Sequence, residues 1–490
     1  MMRILQVSAE LFPLLKTGGL ADVAGALPVA LAAAGEDVRV LLPGFPAIVA
    51  GLTGLVPVAE FSAPWGDRAS LLRGRLPIPG VPPGHALHAY VIDAPVLYDR
   101  PGNPYEDNQR QPYGDNHRRF ALLGWAAARL AQGLDPQWQP EVVHAHDWHA
   151  ALAPAYLAFA QASRGRRVGS VFTVHNLAYQ GVFPPWHFAD LGLPDAAFRI
   201  DGLEYHGQLS FMKAGLYYAD QLTTVSPTYA REIQTTDQGC GLDGLLRGRA
   251  GALTGILNAV DPAVWNPATD VLLPHRFDMQ HTAGKADCKA ALQTALGLTV
   301  TADKPLFAVV SRLSEQKGLH LVLGGLDELL AQGGQLVLLG SGDGWLEEAF
   351  RQRAVAAPES VSVTIGYDES MAHRLFGASD LTLVPSLFEP CGLTQMYGLR
   401  YGSLPLVRRV GGLADTVIDC TLEDMASDEA TGFVFDNFDR VGYSRAMRRA
   451  FALYARPSDW QRVRASAMRR PADWATAAAQ YIEVYRKTLA

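Results

Sequence analysis

Two short loops place a lysine beside glycine in a chain that uses lysine sparingly: only seven of its 42 basic residues are lysines. In Lys16-Thr17-Gly18-Gly19, glycine at a strand-to-helix turn lets backbone approach a ligand. The helix that follows offers N–H groups and a positive dipole end to an anion, and Lys16 adds a point charge. Read alone, the loop fits a plain tight turn as well as a phosphate site. It is neither GxGxxG nor a Walker A sequence. The second strand, VRVLLPG, ends without the acidic residue that would hold the ribose of a nicotinamide dinucleotide. In Arg312-Leu-Ser-Glu-Gln-Lys317-Gly318, a guanidinium and an ammonium stand five residues apart just past a predicted strand. Such a pair can grip a diphosphate, Arg by its fork and Lys as a point charge. The alternative is a solvated loop.

Four further segments carry candidate chemistry. His144-Ala-His146-Asp147-Trp148-His149 superficially matches the HxHxDH signature of dinuclear metallohydrolases, but its Asp comes one position early. His144 and His146 share a strand face, which permits metal ligation, yet no carboxylate- or His-rich partner segment follows. The favoured reading is polar groups at a strand end lining a cleft, with hydrogen-bonded core histidines as the alternative. The strand FTVHN ends in His175-Asn176, where open α/β sheets bind ligands; a buried, satisfied His is the plainer reading. In Pro385-Ser-Leu-Phe-Glu389-Pro-Cys391-Gly392-Leu-Thr394-Gln395, a strand runs into a loop with one carboxylate and then into a helix start. Backbone N–H groups there can bind a phosphate or a polyhydroxyl ligand, and Glu389 can accept from vicinal hydroxyls. Ordinary helix capping is the alternative. Tyr367 follows the strand SVTIGY, where its ring is placed to stack on a base or to be partly buried.

These residues need elements to position them, and the pattern supplies short β-branched runs alternating with Ala/Leu-rich stretches. Strands are predicted at 3–9, 38–42, 88–92, 141–145, 170–174 and 221–225, and helices at 20–34, 117–132 and 149–161. The same grammar restarts near residue 305, with strands at 305–311, 335–340, 362–367, 381–386 and 404–409 and a helix at 319–332. A β-loop-α-β order implies right-handed crossovers and parallel sheets. The expected architecture is therefore α/β, with two Rossmann-like doubly wound domains. The boundary is expected near Asn258–Asp261, giving domains at 1–257 and 258–471, with a final helix at about 472–490 packing back on the first. The pentapeptide GGLAD occurs at 18–22 and again at 411–415. Chance can produce that in such a chain; alternatively each domain presents a Gly-Gly helix N-terminus.

Composition narrows the classes. At 490 residues, 49% hydrophobic and 19% charged, the chain is built to fold and not to stay disordered. Its net charge of −7 argues against coating nucleic acid. Four scattered cysteines, with no CxxC pair, indicate neither a zinc ribbon nor a disulfide scaffold and fit a reducing compartment. Gln6 and Glu10 interrupt the apolar start, which reads as a strand and not a signal peptide, and no apolar run nears 18 residues. The expectation is a cytoplasmic protein without nucleic-acid or membrane partners.

The ordered set KTGGLADV (16–23), YDRPGNPY (98–105), HAHDWH (144–149), FTVHN (172–176), KAGLYYAD (213–220), GILNAVD (255–261), SRLSEQKG (311–318), PSLFEPCGLTQ (385–395), VRRVGGLADTV (407–417) and TGFVF (431–435) spans nearly the whole chain. It closely resembles the bacterial glycogen synthases, relatives of plant starch synthases, and no core motif is visibly broken. The resemblance implies the GT-B glycosyltransferase architecture, with an active site in the cleft the two domains face. It implies transfer of glucose from ADP-glucose to the nonreducing 4-hydroxyl of an α-1,4-glucan, with retention and with no metal or other cofactor. By the same resemblance, Lys16 and the Gly18 backbone lie by the donor diphosphate, which Arg312 and Lys317 neutralise. His175 and Asn258 contact the donor glucose. Glu389, with the Cys391 and Gly392 amides, holds its 3- and 4-hydroxyls, and Thr394 of the same motif is expected among the substrate-binding residues. Asp147 lies near the reacting sugar, Tyr367 fits an adenine-stacking position, and Asp22 and Tyr98 match family positions near the site.

Overall fold

The computed structural model describes residues 1–77, 87–161, 167–470 and 473–490. The chain divides into two compact units, Met1–Asn258 with Trp474–Ala490, and Ala259–Asp473. Residues 471 and 472, at the start of the expected final helix, lie outside the described residues.

The first unit is built on a nine-stranded sheet. Its strands are β1 (Arg3–Val7), β2 (Asp37–Pro43), β3 (Thr53–Ser62), β4 (Arg68–Leu76), β5 (Leu87–Asp93), β6 (Val142–His146), β7 (Gly169–Val174), β11 (Gln221–Thr224) and β12 (Leu253–Gly255). A separate three-stranded antiparallel sheet holds β8 (Val182–Phe183), β9 (Glu204–Tyr205) and β10 (Gln208–Ser210). The large sheet runs β12-β11-β7-β6-β1-β2-β5-β4-β3. Every pairing from β12 to β5 is parallel, and only β5-β4 and β4-β3 are antiparallel. That hairpin edge departs from the expected all-parallel sheet. β3 is mostly exposed along its length and carries Pro57, as an edge strand tolerates.

The central strands β6 and β7 are wholly buried, as a sheet covered on both faces requires. Helices Asn116–Ala131 and Leu152–Gln161 pack together in this unit. The C-terminal helix Trp474–Leu489 packs against helix Gly19–Ala33 and strand β7. Its inward face, Ala478, Tyr481 and Tyr485, is almost entirely buried.

The second unit holds a six-stranded, wholly parallel sheet of β13 (Leu306–Val310), β14 (Gln335–Gly340), β15 (Val361–Ile365), β16 (Leu381–Val384), β17 (Leu404–Arg408) and β18 (Phe433–Phe435), in the order β15-β14-β13-β16-β17-β18. Its core joins Phe307, Leu326, Leu336 and Leu381 to Tyr443 and Met447 of helix Arg440–Tyr454.

Strand order determines where each unit can bind a ligand. In the first sheet the chain winds outward in opposite directions from neighbours β1 and β6, and in the second from β13 and β16. Loops leaving the carboxyl ends of such a strand pair diverge and open a crevice. Those four loops carry Lys16–Gly19, Asp147, Arg312–Gly318 and Ser386–Gly392.

Candidate active site

In the first unit the β1 loop is held by a carboxylate that sequence reading passed over. Glu10, 2% exposed, accepts from Thr17 N–H at 2.6 Å and from the Thr17 hydroxyl at 2.5 Å. The Tyr105 hydroxyl donates to the same carboxylate. Thr17 thus fixes the turn on which Lys16 and Gly18 sit. Lys16 Nζ lies 2.9 Å from Asp22 Oδ1, one helical turn into Gly19–Ala33. A Cβ built on Gly18 would meet nothing within 4 Å, so its surface is open to a ligand.

At the end of β6, Asp147 is buried and adopts φ +56°, a left-handed conformation that Asp and Asn tolerate better than most residues. Its Oδ1 accepts from the backbone N–H of His175 at 2.8 Å and of Asn176 at 3.4 Å. The strand ends of β6 and β7 are thereby locked together. Burial pushes the Asp147 carboxyl up to about 7, against those two N–H groups, with the Glu10 charge adding to the rise. Burial holds His175 and His149 down at about 3, and His144 and His146 well below the ordinary imidazole value. All four rings are neutral at neutral pH.

The two histidines that hinted at metal both have both ring nitrogens engaged. His144 meets Tyr485 and Thr173 at 2.8 and 2.6 Å, and His146 meets His175 and Gln6 at 3.0 and 2.7 Å. The ring of His149 stacks on Tyr105. Among the described residues, one group of metal-ligating types stands close together, His117, His187 and Asp190. Both oxygens of that carboxylate are held by the Arg118 fork at 3.0 Å, and the two imidazoles stack at 3.8 Å. The group clasps helix Asn116–Ala131 to the 3-10 segment Pro185–Leu191.

In the second unit the two predicted loops meet. Lys317 Nζ lies 2.5 Å from Glu389 Oε2, which also accepts from the Ser386 hydroxyl at 3.0 Å. Backbone ties bind the loops independently: Leu387 N–H donates to Gln316 O at 2.8 Å. Gly318 begins helix Leu319–Ala331 at φ +70°, and a Cβ there would stand 2.0 Å from Pro385 O. Only glycine lets the two loops approach this closely. The second GGLAD copy supports the same place. Cβ atoms on Gly411 and Gly412 would stand 1.9 Å from Glu389 O and 2.2 Å from Cys391 O. Gly412 N–H donates to Glu389 O and Pro390 O at 3.2 and 3.1 Å.

Replacing Gly318 by alanine therefore costs about 2–3 kcal/mol from left-handed strain and steric conflict. The expected result is a lower urea midpoint together with lost activity.

The structure gathers some expected residues and separates others. Cys391, Gly392 and Thr394 follow Glu389 on one turn, Cys391 buried, Gly392 at φ +70°, and the Thr394 hydroxyl 3.3 Å from Val310 O. Arg312 is exposed on the β13 loop. Tyr367 is 71% exposed after the edge strand β15, with its hydroxyl on Glu369. Asn258 is buried, and its Oδ1 has no hydrogen-bond partner among the described residues. Tyr98 departs from expectation. It is 1% exposed, packs edge-on against Phe45 and donates to Arg119 O at 2.7 Å, so it is a core residue. Two cavities, of 610 and 960 Å³, lie around Trp65 in the first unit and Lys289 in the second, and neither lining includes a predicted site residue.

Comparison with known proteins gives the family. Residues 3–248 match the starch synthase catalytic domain, and residues 298–462 match the glycosyl transferases group 1 family. The chain is 75% identical to a glycogen synthase of Variovorax paradoxus (strain S110), covering all of this chain and 99% of that one. It is 59% identical to a glycogen synthase of Leptothrix cholodnii over the full length of both. Among solved structures, it superposes on the catalytic domain of starch synthase IV from Arabidopsis thaliana, bound to ADP and acarbose, with TM-score 0.89 at 31% identity over both whole chains. A sucrose-phosphate synthase from Thermosynechococcus elongatus shares the fold at TM-score 0.57 and 17% identity, over all of this chain and 99% of that one. The chain belongs to the bacterial glycogen synthase family, GT-B enzymes that transfer glucosyl units in glycogen synthesis and share their catalytic domain with the starch synthases.

Proposed function

We propose that the chain transfers glucose from ADP-glucose to the nonreducing 4-hydroxyl of an α-1,4-glucan, with retention at the anomeric carbon. The observation that carries the reading is the Lys317–Glu389 pair, in which a cation for the diphosphate and an acceptor for sugar hydroxyls share one crevice. The starch synthase neighbour was solved with ADP, which supports adenine as the donor base. No helix among the described residues is long and apolar enough to cross a membrane, and four free cysteines fit a reducing cytoplasm.

The roles follow from charge. The leaving diphosphate gains negative charge as the glycosidic bond breaks. Lys317, Arg312 and Lys16 neutralise it, joined by the Gly18 backbone at a helix N-terminus. Asp22 holds Lys16 in register. Glu389 and the amides of Cys391 and Gly392 take the 3- and 4-hydroxyls, and Thr394 binds substrate from the same turn. His175 and Asn258 address the donor glucose, Asp147 stands by the reacting sugar, and Tyr367 stacks on adenine. Glu389 is engaged by an ammonium and a hydroxyl. A retaining double displacement uses two carboxyls about 5 Å apart. The sequence shows no matched second carboxylate beside Glu389, which favours a front-face transfer, the acceptor attacking beside the departing phosphate. A glucosyl adduct trapped on Glu389 or Asp147 would refute that route.

The test is incorporation of labelled glucose into glycogen from ADP-glucose and from UDP-glucose, each with and without EDTA. Faster incorporation from ADP-glucose, unchanged by EDTA, is expected. Loss of turnover with EDTA would instead favour a metal-dependent reaction.

A further inference from the structure

Lysine and arginine are seldom buried without counter-charge, and in the second unit three of them are buried together. Lys285 and Lys289 of helix Ala283–Ala295 and Arg464 of helix Pro457–Arg469 are each at most 8% exposed. One buried carboxylate, Asp380, stands with them. Its Oδ2 accepts from Lys289 Nζ at 2.7 Å and from Leu306 N–H at 3.0 Å, and its Oδ1 accepts from Arg464 Nη2 at 3.3 Å. Both ammoniums have further acceptors. Lys285 Nζ donates to the carbonyls of Phe376 and Gly377 at 3.0 and 3.1 Å, and Lys289 Nζ to Lys304 O at 2.6 Å. Arg464 differs. A guanidinium has five N–H donors, and this one makes a single hydrogen bond among the described residues. Its Nε is buried and without a partner there.

These four side chains line the 960 Å³ cavity of this unit. Asp303 and Lys304, at its exposed rim, add one charge of each sign. With Lys285 protonated, the lining carries four cations against two carboxylates, an excess of two positive charges. Burial, and after it the Arg464 charge, hold the Lys285 ammonium well below its ordinary range; a bound anion opposes the second effect. A fork with spare donors takes two oxygens of a carboxylate or a phosphate. Phosphate answers the charge better, since a monoester carries about 1.5–2 negative charges at neutral pH and a carboxylate one. The volume is that of a site for a whole small molecule, and Phe451, Tyr454 and Trp460 wall it with aromatic surface.

We propose that this cavity is a second anion site, separate from the donor crevice, that binds a phosphate monoester on the Arg464 guanidinium. Pro305 and Asp380 immediately precede β13 and β16. The cavity therefore lies at the amino ends of the two strands whose carboxyl ends carry Arg312–Gly318 and Ser386–Gly392. One five-residue strand, roughly 16 Å, lies between the two places.

Calorimetric titration of the full-length protein with ribose 5-phosphate, inorganic phosphate and ribose tests this. Saturable binding of both phosphates and none of ribose is expected, the ester at least about threefold tighter because it also meets the aromatic wall. Lys317→Ala, altered in the donor crevice, keeps that binding. Arg464→Gln binds ribose 5-phosphate at least about tenfold more weakly. Should Arg464→Gln fold poorly, Ala286→Phe carries the test. It fills the cavity from an exposed position and leaves every charge in place, and the same loss is expected. Equal affinity for both phosphates supports the site with free phosphate as its occupant. Absence of saturable binding overturns the proposal, as does unchanged affinity in Arg464→Gln and Ala286→Phe. Binding lost in Lys317→Ala and kept in Arg464→Gln would put the anion in the donor crevice and overturn it as well.

Discussion

Lys317→Ala lowers turnover with ADP-glucose at least about a hundredfold, and Arg312→Ala does the same, because each removes a preorganised cation from a developing diphosphate charge. The fold survives both changes. Lys317 is held by a single ion pair at a loop whose backbone is fixed independently by Leu387 N–H on Gln316 O. Arg312 is exposed. The loss should fall mainly on kcat, since the interaction strengthens as the bond breaks. Circular dichroism should match the wild type in both, as should the melting temperature of Arg312→Ala, while that of Lys317→Ala falls because Glu389, 6% exposed, loses its counter-ion. Near-normal turnover in both variants would remove the diphosphate clamp from the account.

The second large effect separates charge from architecture at Asp147. Asp147→Ala strands the buried N–H of His175 and the N–H of Asn176, and puts alanine at φ +56°. The expected cost is about 3 kcal/mol, with loss of activity following from the displaced β7 end. Asp147→Asn keeps an acceptor oxygen and a residue that tolerates this backbone, so the fold holds while the ionisable group is lost.

The pair also gives a pH signature. Asp147 rises from 3.8 when unfolded to about 7 when folded. Its contribution to stability is therefore fully present below the unfolded value and is lost as pH rises through the folded one. Between about pH 4 and about pH 7 the wild type should lose melting temperature relative to Asp147→Asn, and above about pH 8 the difference should stay constant. Parallel curves for the two proteins would show that folding does not raise the Asp147 carboxyl above its unfolded value.

Much of the frame was legible because parallel, doubly covered sheets write themselves as short β-branched runs. β6, β7 and β13 fall within two residues of their expected limits, and the reactive loops leave their carboxyl ends as expected. The β3-β4 hairpin was not legible. β3 is largely solvent-facing, and β4 mixes buried with part-exposed and exposed positions, so neither reads as the continuous buried run of a parallel strand. The three-residue strand β18 was too short to signal itself. Within the site, Lys317 and Glu389 were readable from residue type and loop position. Their contact was not, because it depends on Gly318 approaching Pro385 across 67 positions of chain.

Gln6 and Glu10 are the instructive omissions. The sequence marks them only as polar breaks in an apolar start, yet each is at most 2% exposed. A buried amide and a buried carboxylate at the end of a first strand must be hydrogen-bonded, and that requirement was the available signal. Gln6 links the C-terminal helix to His146, and Glu10 holds the Lys16 turn. Tyr98 is the converse case. Its motif matched, but its ring is spent on the core and its hydroxyl on Arg119 O.

Product analysis on a defined acceptor tests the account most directly. The protein is incubated with ADP-glucose and maltoheptaose, and released ADP is counted against new linkages resolved by proton NMR. The account predicts one new α-1,4 linkage at the nonreducing end for each ADP released. A β linkage, or free glucose appearing in step with ADP, would contradict it.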